Sequence, residues 1–114
     1  MPSLILHIDE IIENTLKNSV VKAIEKNMIK IIEEELEAEK NNCQIIWVRS
    51  KILSSNYKIF GELKFREKTT RNMKRRKDCL NQICEILQKK FNVSVRLRAF
   101  SIKEETITAL DFKN

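Results

Sequence analysis

The chain has 114 residues, 42% of them hydrophobic and 33% charged, with a formal net charge of +6. A chain of this size can bury a core without disulfide staples, and this balance of apolar to charged residues excludes a disordered tail. One Gly and one Pro exclude the glycine-rich phosphate loops of the Walker and dinucleotide types and leave few turns that need positive φ.

Residues 3–39 carry Leu4, Ile8, Ile11, Ile12, Leu16, Val20, Ala23, Ile24, Met28, Ile31, Ile32 and Leu36 at spacings dominated by three and four. That periodicity predicts a helix, with Ser3 as its N-cap. It is either one helix of more than thirty residues or two that meet between Asn14 and Asn18. At 1.5 Å per residue such a helix outreaches a small sheet. Residues 4–36 are therefore an expected surface for self-association or for a helical protein partner. The opening MPSLILHIDEII has no basic leader and is interrupted by His7 and Asp9, so no signal peptide is expected. No stretch approaches the roughly 20 apolar residues that span a bilayer, and the expected compartment is cytoplasm or nucleus.

After the acidic run Glu33 to Glu39, residues 43–53 are rich in β-branched and aromatic side chains and read as a strand. Residues 57–66 alternate as a second strand across the SSN turn, which predicts an antiparallel hairpin. A helix is expected over 70–91 and a strand over 93–102, and the segment TITALDF is a candidate last strand or a tail pairing back. The expected fold is α+β in the order α-β-β-α-β, with or without a final β, the helices packed on one face of a small sheet. Residues 1–114 read as one domain, a long acidic-ended helix at 1–40 followed by a basic ββαβ core at 41–114.

The charge is segregated. Residues 1–40 hold nine acids and five bases, a balance of −4, whereas residues 41–114 hold seventeen bases and seven acids, a balance of +10. Arg71, Lys74, Arg75, Arg76 and Lys77 crowd the start of the second helix, where the macrodipole is already positive and each exposed cation costs roughly 0.3–1 kcal/mol. An anion held at that tip would explain them; so would the acidic run Glu33 to Glu39 as their partner, within the chain or across a dimer, which would make the patch structural. Strand alternation places Arg49, Lys51, Lys64, Arg66, Arg96 and Arg98 on one sheet face among Trp47, Phe60 and Phe100. Cations for phosphates interleaved with rings for bases suit a single-stranded nucleic acid. The expected function is therefore non-enzymatic nucleic-acid binding, with RNA or single strands preferred. The alternative is a helical dimerisation or assembly module whose basic patch meets an acidic protein surface.

Catalytic signals are thin. Cys43, Cys79 and Cys84 have no pairing or ligand spacing that predicts a metal site, His7 is the one histidine, and no cofactor is expected. Glu62 and Lys64 resemble the E-x-K element of restriction-endonuclease-like nucleases. That element needs a second, preceding carboxylate, and no acid lies between Lys40 and Glu62. The element order is similar to that of type II KH-like proteins, whose GxxG loop this sequence lacks.

Overall fold

The computed structural model describes residues 2–114. In chain order these form β1 (Ser3–Asp9), α1 (Glu10–Glu13), α2 (Asn18–Leu36), β2 (Gln44–Ser50), β3 (Tyr57–Arg66), α3 (Met73–Phe91) and β4 (Ser94–Ile102). Single 3-10 turns sit at Lys40–Asn42 and Glu104–Thr106. The four strands make one mixed sheet in the order β2-β1-β3-β4. Both inner strands are parallel to their outer neighbour and antiparallel to each other.

The sheet is thus two β-α-β units placed back to back. Each unit is joined by a crossover helix of 19 residues, and each helix ends in a left-handed residue. Glu37 (φ 50°) sends its amide to the Glu33 carbonyl, and Asn92 (φ 52°) sends its amide to that of Gln88. In a chain with one Gly, Asn and Glu must close these helices, and a non-glycine residue bears some strain there.

The long N-terminal helix is corrected: its first turns are the central strand. Leu4, Leu6 and Ile8 are completely buried on the helix side of β1, while Ser3, Ile5 and His7 face the other way. Ile5 is apolar too, so a period of two was hidden inside spacings that also fit a helix. The polar break falls at residues 14–17, between α1 and α2. The expected β2–β3 hairpin is also corrected. β1 lies between those strands and pairs with both, Ile5 with Ile46 and with Glu62. The tail segment TITALDF adds no strand among the described residues.

The core sits between the sheet and the helices. Ile24, Met28, Ile32 and Leu36 of α2, spaced by four, and Cys79, Ile83 and Leu87 of α3, also spaced by four, cover Leu4, Leu6, Ile8, Ile59, Leu63 and Phe65. α2 and α3 run antiparallel. Arg75 near the start of α3 bonds Glu34 and Glu35 near the end of α2, while Val20 and Ile24 share a groove with Ile86 and Lys89. No described helix is long and apolar enough to cross a membrane.

Candidate functional site

The antiparallel helix pair explains the basic start of α3. It abuts the C-terminal, electronegative end of α2, so one positive tip lies against one negative tip. Arg71 is buried, 3% exposed, and donates Nε to the Leu36 carbonyl at 2.7 Å and Nη1 to the Arg66 carbonyl at 2.8 Å. Arg75 donates to the Glu34 carbonyl at 2.6 Å and lies 3.4 Å from the Glu35 carboxylate. Lys74 bonds Asp78 at 2.8 Å and Arg76 donates to the Arg71 carbonyl at 3.3 Å. Asn72 caps the helix, its side chain accepting from the Arg75 amide. Lys77 is exposed. Four of the five cations at this tip have partners within the chain: Arg75 and Lys74 meet the carboxylates of Glu35 and Asp78, and Arg71, Arg75 and Arg76 donate to carbonyls.

The sheet face is only partly as expected. Lys64, Arg66, Arg96, Arg98, Phe60 and Phe100 do share the face away from the helices. Trp47 and Arg49 do not, because the register puts them in rows with Leu6 and Ile8 on the helix side. Trp47 donates its indole N–H to Glu25 of α2 at 2.7 Å and meets the Phe91 ring edge-on, and Arg49 pairs with Glu13 at 3.3 Å. Lys51 lies exposed just past the end of β2. On the open face, Arg66 pairs with Glu104, Lys64 stands over the Phe100 ring, and Arg96 stacks on Tyr57 at 4.1 Å.

The start of β1 brings together residues that sequence reasoning left apart. Pro2 is fully buried, and its carbonyl accepts the Gln44 amide at 3.1 Å. One step beyond the Ser3–Gln44 and Ser3–Lys64 pairs, Pro2 is flanked by Cys43 and Phe65. The Arg71 guanidinium lies 5.8 Å from the centre of the Phe65 ring. Burial, and then the Glu33 carboxylate, push the Cys43 thiol up, outweighing the pull of Arg71, so it stays protonated at neutral pH. Burial lowers Arg71 from its ordinary value, yet a guanidinium remains charged in any neutral solution. The end of the sheet therefore offers a fixed cation, with two of its donors tied to carbonyls, over the Phe65 ring that neighbours the only proline of the chain. The signal for it in the sequence was that single proline at position 2. No cluster of three or more His, Cys, Asp or Glu suited to a metal is present among the described residues.

No protein-family model matches the sequence, and no curated protein does. Solved structures do match the fold, which is the tautomerase/MIF-like arrangement of a four-strand mixed sheet with its helices on one face. One is N1, a member of the cis-3-chloroacrylic acid dehalogenase family, with a TM-score of 0.75 and 13% identity over 95% of this chain and 80% of that one. Another is Pt0534 inactivated by 2-oxo-3-pentynoate, with a TM-score of 0.77 and 11% identity over 95% and 92%. A third is a fused 4-OT described as a wild-type symmetric trimer, with a TM-score of 0.76 and 11% identity over 95% and 91%. At these identities the likeness is one of fold.

The reading as a non-enzymatic binder of RNA or DNA is overturned. Its electrostatic basis is removed in the main because four of the five cations at the helix tip already have partners within the chain, and the fold is one shared with enzymes of the tautomerase/MIF type. The alternative, an assembly module built on a helical face over 4–36, is not favoured, since Leu4 and Ile8 belong to a strand and Ile24, Met28, Ile32 and Leu36 are buried against the chain's own sheet.

Proposed function

We propose that the chain is an enzyme of small 2-oxo or unsaturated carboxylic acids, with Pro2 as proton carrier and Arg71 as the cation that holds the substrate carboxylate. The observation that carries this reading is that Pro2, at the head of the central strand, neighbours Phe65, whose ring the Arg71 guanidinium covers. Within a peptide bond a proline nitrogen is neither basic nor nucleophilic. Removal of Met1 makes it a secondary amine, and an α-amino group ordinarily titrates at about 7.7–8.0. A neutral amine there can take a proton from the carbon next to a carbonyl and return it to another carbon, which is the chemistry of keto–enol exchange. The Arg71 carboxylate contact fixes the substrate so that the proton moves over a short path.

The test uses 2-oxo-3-pentynoate, which inactivates Pt0534. Its alkyne is activated by the ketone, so a free secondary amine adds to it with no leaving group and the adduct has the mass of the sum. Intact mass spectrometry is expected to show loss of Met1, then a single adduct mapping to the N-terminal peptide. Arg71→Lys is expected to slow labelling at least tenfold. Retention of Met1, or labelling at a cysteine in place of Pro2, overturns the reading.

A second copy of the chain fits the open sheet face, where Ile46 and Phe100 are 38% and 42% exposed. Ile5 joins Ile46 in one row across the sheet. Self-association as a trimer is proposed on these apolar side chains, which stand among Lys64, Arg66, Arg96 and Arg98, and on the symmetric trimer of the fused 4-OT.

A further inference from the structure

On the helix side of the chain, an apolar groove of about 430 Å³ lies where the start of α2 meets the end of α3. Val20, Ala23 and Ile24 form one wall, Ile86 stands opposite, and Lys89 and Lys90 make the rim. Ser19 and Asn27 are the other polar residues on it, and among the described residues no carboxylate lines it. Lys17, the N-cap of α2, supplies no side-chain acceptor, so the first amides of that helix add positive potential beside Ser19. The groove is apolar within and positive at its edge.

The chain also carries two large apolar side chains that it does not itself cover. Leu110 and Phe112 are each 91% exposed, in a segment without regular structure. Residues two apart in an extended segment share a side, so the pair forms one apolar edge. When that edge enters a groove, Asp111 stays at the surface, where a cation on the rim can meet it. The chain's own tail cannot make this contact. It leaves the sheet at Ile102, whose carbonyl accepts the Glu67 amide at 2.8 Å, and is tied down again where Glu104 pairs with Arg66. Lys89 and Lys90 lie just before the opposite end of β4, and the nine residues of that strand span roughly 30 Å. Phe112 stands six residues past Thr106 and reaches at most roughly 22 Å from it.

We propose that the groove receives residues 110–112 of a second copy of the chain, with Leu110 and Phe112 on its apolar floor and Asp111 at the lysine rim. A contact anchored by two side chains is weak between free molecules, with a Kd on the order of 0.1 mM. Copies already held together raise the effective concentration of the tail to roughly millimolar and so fill the groove. For that occupancy alone the contact rests on the self-association proposed above. The groove itself lies on the helix side and forms no part of the open sheet face.

The probe is the acetylated peptide ITALDFKN, residues 107–114, titrated into the full chain carrying Leu110→Ser and Phe112→Ser, whose own tails do not compete. Calorimetry and amide NMR shifts are expected to show saturable binding of one peptide per chain, with the shifts at Ser19, Ala23, Asn27 and Lys90. Adding Ala23→Glu, at an exposed helix position, is expected to weaken binding about tenfold, and Lys89→Glu with Lys90→Glu gives a second reading of the same groove. As a trimer, the unsubstituted chain should take the peptide about threefold more weakly, because its own tails already fill the grooves. Absence of saturable binding, shifts on the open sheet face, or unchanged affinity in Ala23→Glu overturns the proposal. Equal affinity of the two chains as trimers, or tighter binding of decanoate at the same residues, also overturns it. Light scattering on the same samples separates this contact from the sheet-face association. A trimer that takes no peptide removes the tail contact alone, whereas a single chain that takes it supports the groove and removes the sheet-face association.

Discussion

Gly61 occupies the tightest point of the sheet. It lies in the row Trp47–Leu6–Gly61–Leu97, and a Cβ there would come within 2.6 Å of Leu97 Cδ2 and 2.8 Å of Leu6 Cδ2. Its φ is ordinary, so the requirement is for space and not for a left-handed backbone. Gly61→Ala is expected to destabilise by about 1–3 kcal/mol, the usual range for overpacking, read as a shift in the urea midpoint. Cys79 is the second informative residue. Burial, then Glu35, push its thiol up to about 12 from 9.0. The folded state therefore keeps a proton that the unfolded chain gives up, so stability is complete below about pH 9 and declines as pH rises toward 12. The loss at pH 10 is expected to be about 1 kcal/mol. The whole chain's loss should shrink by that amount in Cys79→Ala, the remainder belonging to Cys43 and Cys84, whose thiols burial also pushes up, measured as the difference between urea midpoints at pH 7 and pH 10. The Cys79 side chain is completely buried.

At the scale of elements, α3, β3 and β4 were legible within three residues at either end. Their periodicity is unmixed: Arg96, Arg98 and Phe100 alternate with Val95, Leu97 and Ala99, and β3 alternates to within one bulge at Tyr57–Ile59. β1 was illegible because both of its faces are apolar at Ile5 and its flanks. The cationic start of α3 was read correctly as a departure from helix electrostatics, but its cause is another helix end. Arg75→Ala is expected to cost about 1 kcal/mol, more at low salt than at high, through lost bonds to the end of α2, whereas Lys77→Ala should be neutral. Equal effects of the two substitutions in thermal denaturation would remove the helix-pair explanation. The left-handed end of α2 yields a further expectation. Glu37 is exposed at φ 50°, and Glu37→Gly should raise stability by about 0.5–1 kcal/mol despite losing its attraction for Arg71. The urea midpoint reads this directly.

For the whole molecule, an open sheet face with Ile46 and Phe100 partly exposed predicts association. Light scattering is expected to return three times the chain mass of 13.5 kDa, and Ile46→Lys to return the single-chain mass with an unchanged circular dichroism spectrum. The back-to-back β-α-β architecture left no trace as a sequence repeat, since its two halves share helix length and crossover but not residues. By itself the sequence determined which segments alternate, where the second long helix lies, and that positive charge is concentrated after residue 40. These are local properties, fixed by the period of apolar side chains and by composition. Only the tertiary structure decided that residues 3–9 are the central strand, that α2's negative end meets α3's cations, and that Pro2 neighbours the Phe65 ring that Arg71 covers. Each of those depends on a contact between residues far apart in the chain, and the energy of such a contact is absent from any short window of sequence.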